Sequence, residues 1–256
     1  MLSSTFLHLS GVGEKTERRI WERGLHTWSA FLRHPAAAGL SARATERLNG
    51  MVSHSAERLS QEDHRFFSAC LPRREHWRAY PEFRHRIAYL DIETTSLEGD
   101  DVTLIGLYDG ERVRIYQKGE DLAEFVEDIE QYSLLVTYHG AGFDLPFLRR
   151  RFLGLEFRQL HIDLCPTLRR LGLKGGLKGV ERQLGIPRSP ETEHLDGWDA
   201  VRLWREWERG SAEALDLLKR YNAEDITHLE TLVRHAYPRL RQMSGMHVGQ
   251  EFISCP

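Results

Sequence analysis

One short stretch restricts what this chain can fold into more than any other, an apolar run that ends in two acids. Residues 87–90 form a nearly continuous apolar run of strand length, which predicts a buried β-strand. Asp91 and Glu93 follow at alternate positions, so their side chains point to the same face of that strand. Two adjacent carboxylates repel each other unless a cation lies between them. The stretch is therefore typical of a divalent-metal site, although acidic residues also simply end strands.

The residues after this strand have the patterns of an α/β protein. The predicted elements are strands at 101–108, 111–116, 134–138 and 160–164 and helices at 122–131 and 145–152. An Asp-Gly pair at 109–110 favours a tight hairpin turn between the second and third strands. Three strands in a meander, followed by strands that alternate with helices, predict a mixed five-stranded sheet covered by helices.

Another acid lies where the predicted fourth strand ends. Gly140 and Gly142 allow a close turn there, and Asp144 opens the helix that follows. In an open sheet, sites form at the carboxyl ends of strands near a switch in strand order. If the first and fourth strands are neighbours, Asp144 faces Asp91 and Glu93. Taken alone, Asp144 is also typical of an ordinary helix N-cap.

Near the end of the chain, Tyr221 and Asp225 are four residues apart, which places both on one face of a predicted helix. An amphipathic surface helix also explains this spacing. It does not explain why each element predicted to face the site carries an acid at its end.

Together these stretches resemble the DnaQ-like, or DEDD-type, 3′–5′ exonucleases of the ribonuclease-H-like fold. The residues that match the family's three motifs are Asp91-Ile-Glu93-Thr94, the Tyr-x-Gly-x-x-Phe-Asp run that ends in Asp144, and Tyr221-x-x-x-Asp225 in the tyrosine-bearing form. The flanking segments are similar to the bacterial YprB-type subfamily. His139 is a departure, because the family usually has Asn before the first glycine of the second motif.

The resemblance implies hydrolysis of phosphodiester bonds with two divalent cations. Asp91, Glu93 and Asp225 would bind the first ion. Asp91 would also bind the second ion, with Asp144 holding it directly or through water, and Tyr221 would orient the attacking water. Sites made of carboxylates suit Mg²⁺ or Mn²⁺ rather than zinc. The expected substrate-binding residues are Thr94, Leu97, His139 and Phe143.

The first third of the chain differs from the rest in charge. Residues 1–86 carry 14 Lys/Arg against 9 Asp/Glu, whereas the remainder carries 21 against 29 of the chain's 35 and 38. Gly11 and Gly13 precede a predicted helix and resemble the hairpin and second helix of a helix-hairpin-helix motif, whose backbone amides contact a phosphate. A capped helix that packs on the main domain is an equal alternative. We expect a helical region at 1–80 that ends in an extended connector from residue 71, a ribonuclease-H-like domain at 81–237, and a tail at 238–256.

Composition excludes several classes of protein. No apolar run reaches membrane-spanning length. Cys70, Cys165 and Cys255 are too far apart for a zinc or disulfide pattern, which favours a reducing, cytoplasmic setting.

The resemblance implies a nucleic-acid partner with a single-stranded or 3′ end. Both DNA and RNA are kept as partners, because no residue of the sequence is diagnostic of contacts to the 2′-hydroxyl. A structure-specific endonuclease and an inactive nucleic-acid-binding module remain the alternatives.

Overall fold

A computed structural model describes residues 1–96 and 101–245. The chain forms two compact units, Arg84–Ala236 and a second one that combines Met1–Phe83 with the described residues from Tyr237 onward. The domain limits expected from the sequence stay a prediction. Leu97, one of the expected substrate-binding residues, lies outside the described residues.

The N-terminal unit is helical. Its α-helices are α1 (Glu14–Glu22), α2 (Trp28–Arg33), α3 (Ala42–Ser60), α4 (His64–Cys70) and α5 (Tyr80–Phe83), with 3-10 helices at Leu2–Ser4, Pro35–Ala38 and Arg73–Ala79. Helix α1 begins directly after Gly13, and Gly11 has a φ of +82°, a backbone conformation that favours glycine. Within residues 1–10 the structure shows the three-residue 3-10 helix Leu2–Ser4 and no α-helix.

The expected extended connector before the sheet is wrong, because a 3-10 helix occupies residues 73–79. Arg78 on this helix is buried and pairs with Glu17 of α1 (Nη1 to Oε2, 3.2 Å) and with Glu75 (Nε to Oε2, 2.7 Å). Thr5 donates a further hydrogen bond to Glu17 (2.6 Å). A buried arginine between two carboxylates ties this segment to α1, which a solvated linker would not do.

The second unit contains one five-stranded sheet. Its strands are β1 (Ile87–Thr94), β2 (Val102–Tyr108), β3 (Val113–Gln117), β4 (Leu134–Thr137) and β5 (Leu160–Asp163). Their order is β3-β2-β1-β4-β5; β1 is antiparallel to β2 and parallel to β4, and β4 is parallel to β5. The predicted mixed sheet is confirmed, and β1 and β4 are neighbours, which is the condition under which Asp144 was expected to face Asp91 and Glu93.

Helices cover both faces of this sheet. They are α6 (Phe125–Asp128), α7 (Asp144–Arg151), α8 (Leu164–Arg169), α9 (Leu177–Leu184), α10 (Gly197–Glu208) and α11 (Ala212–Met243), of which α11 belongs to this unit as far as Ala236. The helix predicted at 122–131 is a short α-helix between two 3-10 turns. Among the described residues, no helix is both long and apolar enough to span a bilayer. Cys70 and Cys165 are both unpaired.

The alternation of β1 separates its core residues from its acids. Leu90 and Ile92 pack in a core with Phe125 of α6 and Leu148 of α7. The opposite face of the sheet packs against α10 and α11, where Leu104 of β2 joins a second core. Because neighbouring strand residues point to opposite faces, the acids of β1 point away from the α6 and α7 side.

Candidate metal centre

Three carboxylates from two elements meet at the end of β1. Asp91 and Glu93 come from β1 and Asp225 comes from α11, and one oxygen atom of each lies within 4.8 Å of the others. Glu93 and Asp225 are buried, whereas Asp91 is partly exposed. A set of hard oxygen donors of this kind suits Mg²⁺ or Mn²⁺.

Asp144 lies outside this cluster but close to it. Asp144 is only 3% exposed, and hydrogen bonding from the backbone of Asp144 itself and then of Ile92, the residue between Asp91 and Glu93, partly offsets the rise in its pKa. Asp144 is the first residue of α7, and the N-cap position belongs to Phe143. The carboxylate therefore contacts the end of β1 rather than serving as the ordinary N-cap that its sequence position also suggested.

Crowding and burial raise the pKa of every acid in this group. Burial raises the pKa of Asp144 to about 7 and that of Asp225 to about 6. The pKa values of Asp91 and Glu93 also lie well above the usual range, first because of burial and then because of the neighbouring carboxylates. A divalent cation would offset this repulsion, so the residues present fit such an ion.

An arginine that the sequence analysis missed holds Asp225. Arg188 is 4% exposed and binds Glu181 through two hydrogen bonds of 2.6 and 2.7 Å, while its Nη2 also donates to Asp225 Oδ1. His228 Nδ1 lies 3.0 Å from Glu181 Oε1, which adds a contact to the same network. A single arginine that follows a proline in a loop carries no sequence signal for this position.

Tyr221 lies beside the carboxylates on α11. It is 8% exposed, and its pKa is raised above its ordinary value by burial and then by the charges of Asp225, Glu93 and Asp91. Lys178 Nζ lies 4.7 Å from the centre of the tyrosine ring. The tyrosine hydroxyl therefore stays protonated at neutral pH.

Asn222 is a second residue that the sequence analysis missed. Its Nδ2 donates to Asp91 Oδ2 (2.9 Å) and lies 3.4 Å from Glu93 Oε1, and its side chain is fully buried. It occupies a variable position of the Tyr-x-x-x-Asp motif, so the motif gave no reason to select it.

The described substrate-binding candidates have different environments. Thr94 is buried and donates to the carbonyl oxygen of Ser96 (2.6 Å). Phe143 is half-buried, and its ring centre lies 4.6 Å from that of Phe147, as in core packing. His139 is exposed. The contacts of these residues with a substrate stay a prediction.

The backbone conformation of His139 suits a histidine at the position where the exonucleases that the sequence resembles usually have asparagine. Its φ is +67°, in the left-handed region where Asn and His are both enriched. Asp163 stabilises this turn by accepting hydrogen bonds from the backbone N–H groups of His139 (2.8 Å) and Ala141 (3.1 Å). The turn therefore accommodates histidine as well as asparagine at this position.

Comparisons with known proteins identify a superfamily and a solved structure to which the chain is similar. The family model of the RNase_H superfamily matches residues 88–237, which include every acid of the site. No curated protein matches the chain. Among solved structures, the family B DNA polymerase from the hyperthermophilic archaeon Pyrobaculum calidifontis is similar, with 19% sequence identity and a TM-score of 0.49. The similarity covers 62% of this chain and 25% of the polymerase chain.

Proposed function

The chain belongs to the RNase_H superfamily, and from that premise we propose that it is a metal-dependent 3′–5′ exonuclease acting on single-stranded ends of DNA or RNA. The observation that carries the proposal is the cluster of Asp91, Glu93 and Asp225 oxygens within 4.8 Å of one another. The burial of Asp144 against the same strand end supports it.

In this proposal the four acids hold two ions of Mg²⁺ or Mn²⁺. Asp91, Glu93 and Asp225 would hold one ion, and Asp91 and Asp144 would hold the other. When bound, the ions supply positive charge that stabilises the negative charge developing on the phosphate during hydrolysis. Arg188 positions Asp225 by binding one of its carboxylate oxygens, which leaves the other oxygen for an ion.

Tyr221 acts as a hydrogen-bond donor in the same mechanism. Because burial and the adjacent carboxylates raise its pKa, the hydroxyl keeps its proton at neutral pH and is a poor general base. Its role is to orient the attacking water through the O–H group. Replacing Tyr221 by Phe is therefore expected to lower kcat while the affinity for metal changes little.

The test uses 5′-end-labelled single-stranded DNA and RNA of one sequence with Mn²⁺, Mg²⁺ or EDTA. The expected result is a metal-dependent ladder that shortens from the 3′ end. The Asp225→Asn variant, which keeps the shape and one acceptor oxygen, should lose this activity. The matched control is Asp216→Asn, the same substitution at an exposed position of α11.

Three other outcomes would contradict the proposal, each in a different way. Discrete internal products would favour a structure-specific endonuclease. Retained binding without cleavage, also on duplex and flapped substrates, would favour an inactive binding module. Full activity of Asp225→Asn would remove that residue from the catalytic set.

A further inference from the structure

We propose that Asn222 is a positioning residue that holds the carboxylates of Asp91 and Glu93 in the arrangement a divalent ion needs, and that Gly106 is glycine in order to admit it. This inference rests on the proposed function, because it concerns the same metal site. It assigns roles to two residues that are not expected to touch either substrate or metal.

The hydrogen bonds of Asn222 link the two acids of β1. An amide NH₂ group has two donor hydrogens, and Asn222 Nδ2 lies 2.9 Å from Asp91 Oδ2 and 3.4 Å from Glu93 Oε1. One neutral group thus restrains two carboxylates without adding a charge. Each carboxylate keeps its other oxygen for an ion, as expected of groups that orient metal ligands.

The strand next to β1 is shaped around this asparagine. Gly106 of β2 pairs with Asp91 in the sheet register, and a Cβ built on Gly106 would lie 1.9 Å from Asn222 Oδ1. The same Cβ would lie 3.2 Å from Ile226 Cδ1. A side chain at position 106 would therefore push Asn222 away from the acids. Glycine within a strand often marks such a close approach.

The other end of the Asn222 side chain argues against a role in stability alone. Its Oδ1 is buried and has no hydrogen-bond partner among the described side chains and backbone. Leaving a buried carbonyl oxygen unsatisfied lowers stability. Leucine has nearly the same shape and would avoid this cost, but it would leave Asp91 and Glu93 without the donor. The structure thus accepts an unfavourable oxygen in order to keep the donor nitrogen that serves Asp91 and Glu93.

The test measures Mn²⁺ binding to the full chain by isothermal titration calorimetry, together with thermal unfolding in EDTA. We expect Asn222→Leu to weaken Mn²⁺ binding on the order of 10–100-fold, as for other residues that orient metal ligands. The metal-free protein is expected to lose some stability as well, because Asp91 and Glu93 lose a buried donor. A purely structural residue would lower the stability and leave the Mn²⁺ affinity unchanged, so the Mn²⁺ affinity decides between the two roles. The control is Asn49→Leu, at the other asparagine of the chain.

Gly106 provides an independent arm of the test. Gly106→Ala should weaken Mn²⁺ binding in the wild-type background, because the new methyl group displaces Asn222. In an Asn222→Ala background it should add little, since the displaced group is already gone. Independent, additive effects of the two substitutions would overturn the role of Gly106.

Failure of this inference is distinguishable from failure of the proposed function. If the wild-type chain binds no Mn²⁺, or binds it equally well after Asp91→Ala, the metal site itself is refuted. If the wild-type chain binds Mn²⁺ in an Asp91-dependent manner and Asn222→Leu binds it equally well, the positioning role of Asn222 is refuted and the proposed function stands.

Discussion

Replacing Asp144 by Asn should stabilise the metal-free protein while abolishing nuclease activity. In the folded chain the carboxylate is buried near other acids, and its pKa rises from 3.8 to about 7. Asparagine has the same shape, and its oxygen can still accept a hydrogen bond from the backbone of Ile92. The substitution therefore removes a buried negative charge and keeps the packing.

The size of the gain follows from the pKa of Asp144. A raised pKa means that the ionised acid destabilises the fold, fully so above about pH 7, and this penalty disappears as the pH falls toward 3.8. Each pH unit corresponds to about 1.4 kcal/mol, so the upper limit at pH 8 is about 4 kcal/mol. Local relaxation and water around the charge reduce it, and we expect about 2–4 kcal/mol. That gain corresponds to a Tm increase of roughly 5–15 °C for a unit of this size.

The assay is thermal unfolding of wild type and Asp144→Asn in EDTA at pH 8 and again near pH 4. Asp216→Asn, at an exposed position on α11, controls for the general effect of removing one negative charge. The reasoning is refuted if Asp144→Asn shows no gain at pH 8, or if its gain is equally large near pH 4. Saturating Mn²⁺ should stabilise the wild-type protein more than the variant, because an ion that binds the folded state stabilises it by mass action.

Three further predictions concern the same unit. The Tm of the metal-free wild-type protein, measured by calorimetry, should fall from pH 4 to pH 8, because the raised pKa values of Asp144 and Asp225 make their ionisation unfavourable in the folded state. Mn²⁺ should reduce this pH dependence, and a Tm that rises over this range would contradict the prediction. Arg188→Met should lower the free energy of unfolding in urea by about 3–5 kcal/mol, because Glu181 and Asp225 lose a buried partner. An unchanged urea midpoint would contradict the stabilising role of this network. In the same assay His139→Val should lower the free energy of unfolding by about 1–2 kcal/mol, because a β-branched residue is strained at a φ of +67°, whereas His139→Asn should change it by at most about 0.5 kcal/mol. Equal stability of the two variants would contradict this strain.

Much of the fold could be predicted because its signals are local. The apolar run at 87–90, the Asp-Gly turn and the spacing of the later strands each depend on a few neighbouring residues, and all five predicted strands are present. The prediction failed where structure depends on distant partners. In the helical segment at 73–79, Arg78 is buried between Glu17 and Glu75, and a run of charged residues gives no indication of such partners.

The positions of the acids were available from the sequence, but their environment was not. A period of two places Asp91 and Glu93 on one face of β1, and a period near four places Tyr221 and Asp225 on one face of α11. These rules describe a strand and a helix separately. They give no distance between the two elements.

The amino-acid sequence by itself determined the positions of the five strands along the chain, the ends at which the acids lie and the resemblance to a nuclease family. Only the tertiary structure decided what surrounds those acids. Asn222 meets Asp91 across 131 residues of chain, and a side chain at position 106 would clash with Asn222 because α11 packs closely on β2 at that point. Such contacts arise from the packing of whole elements, and no local pattern of residues specifies them.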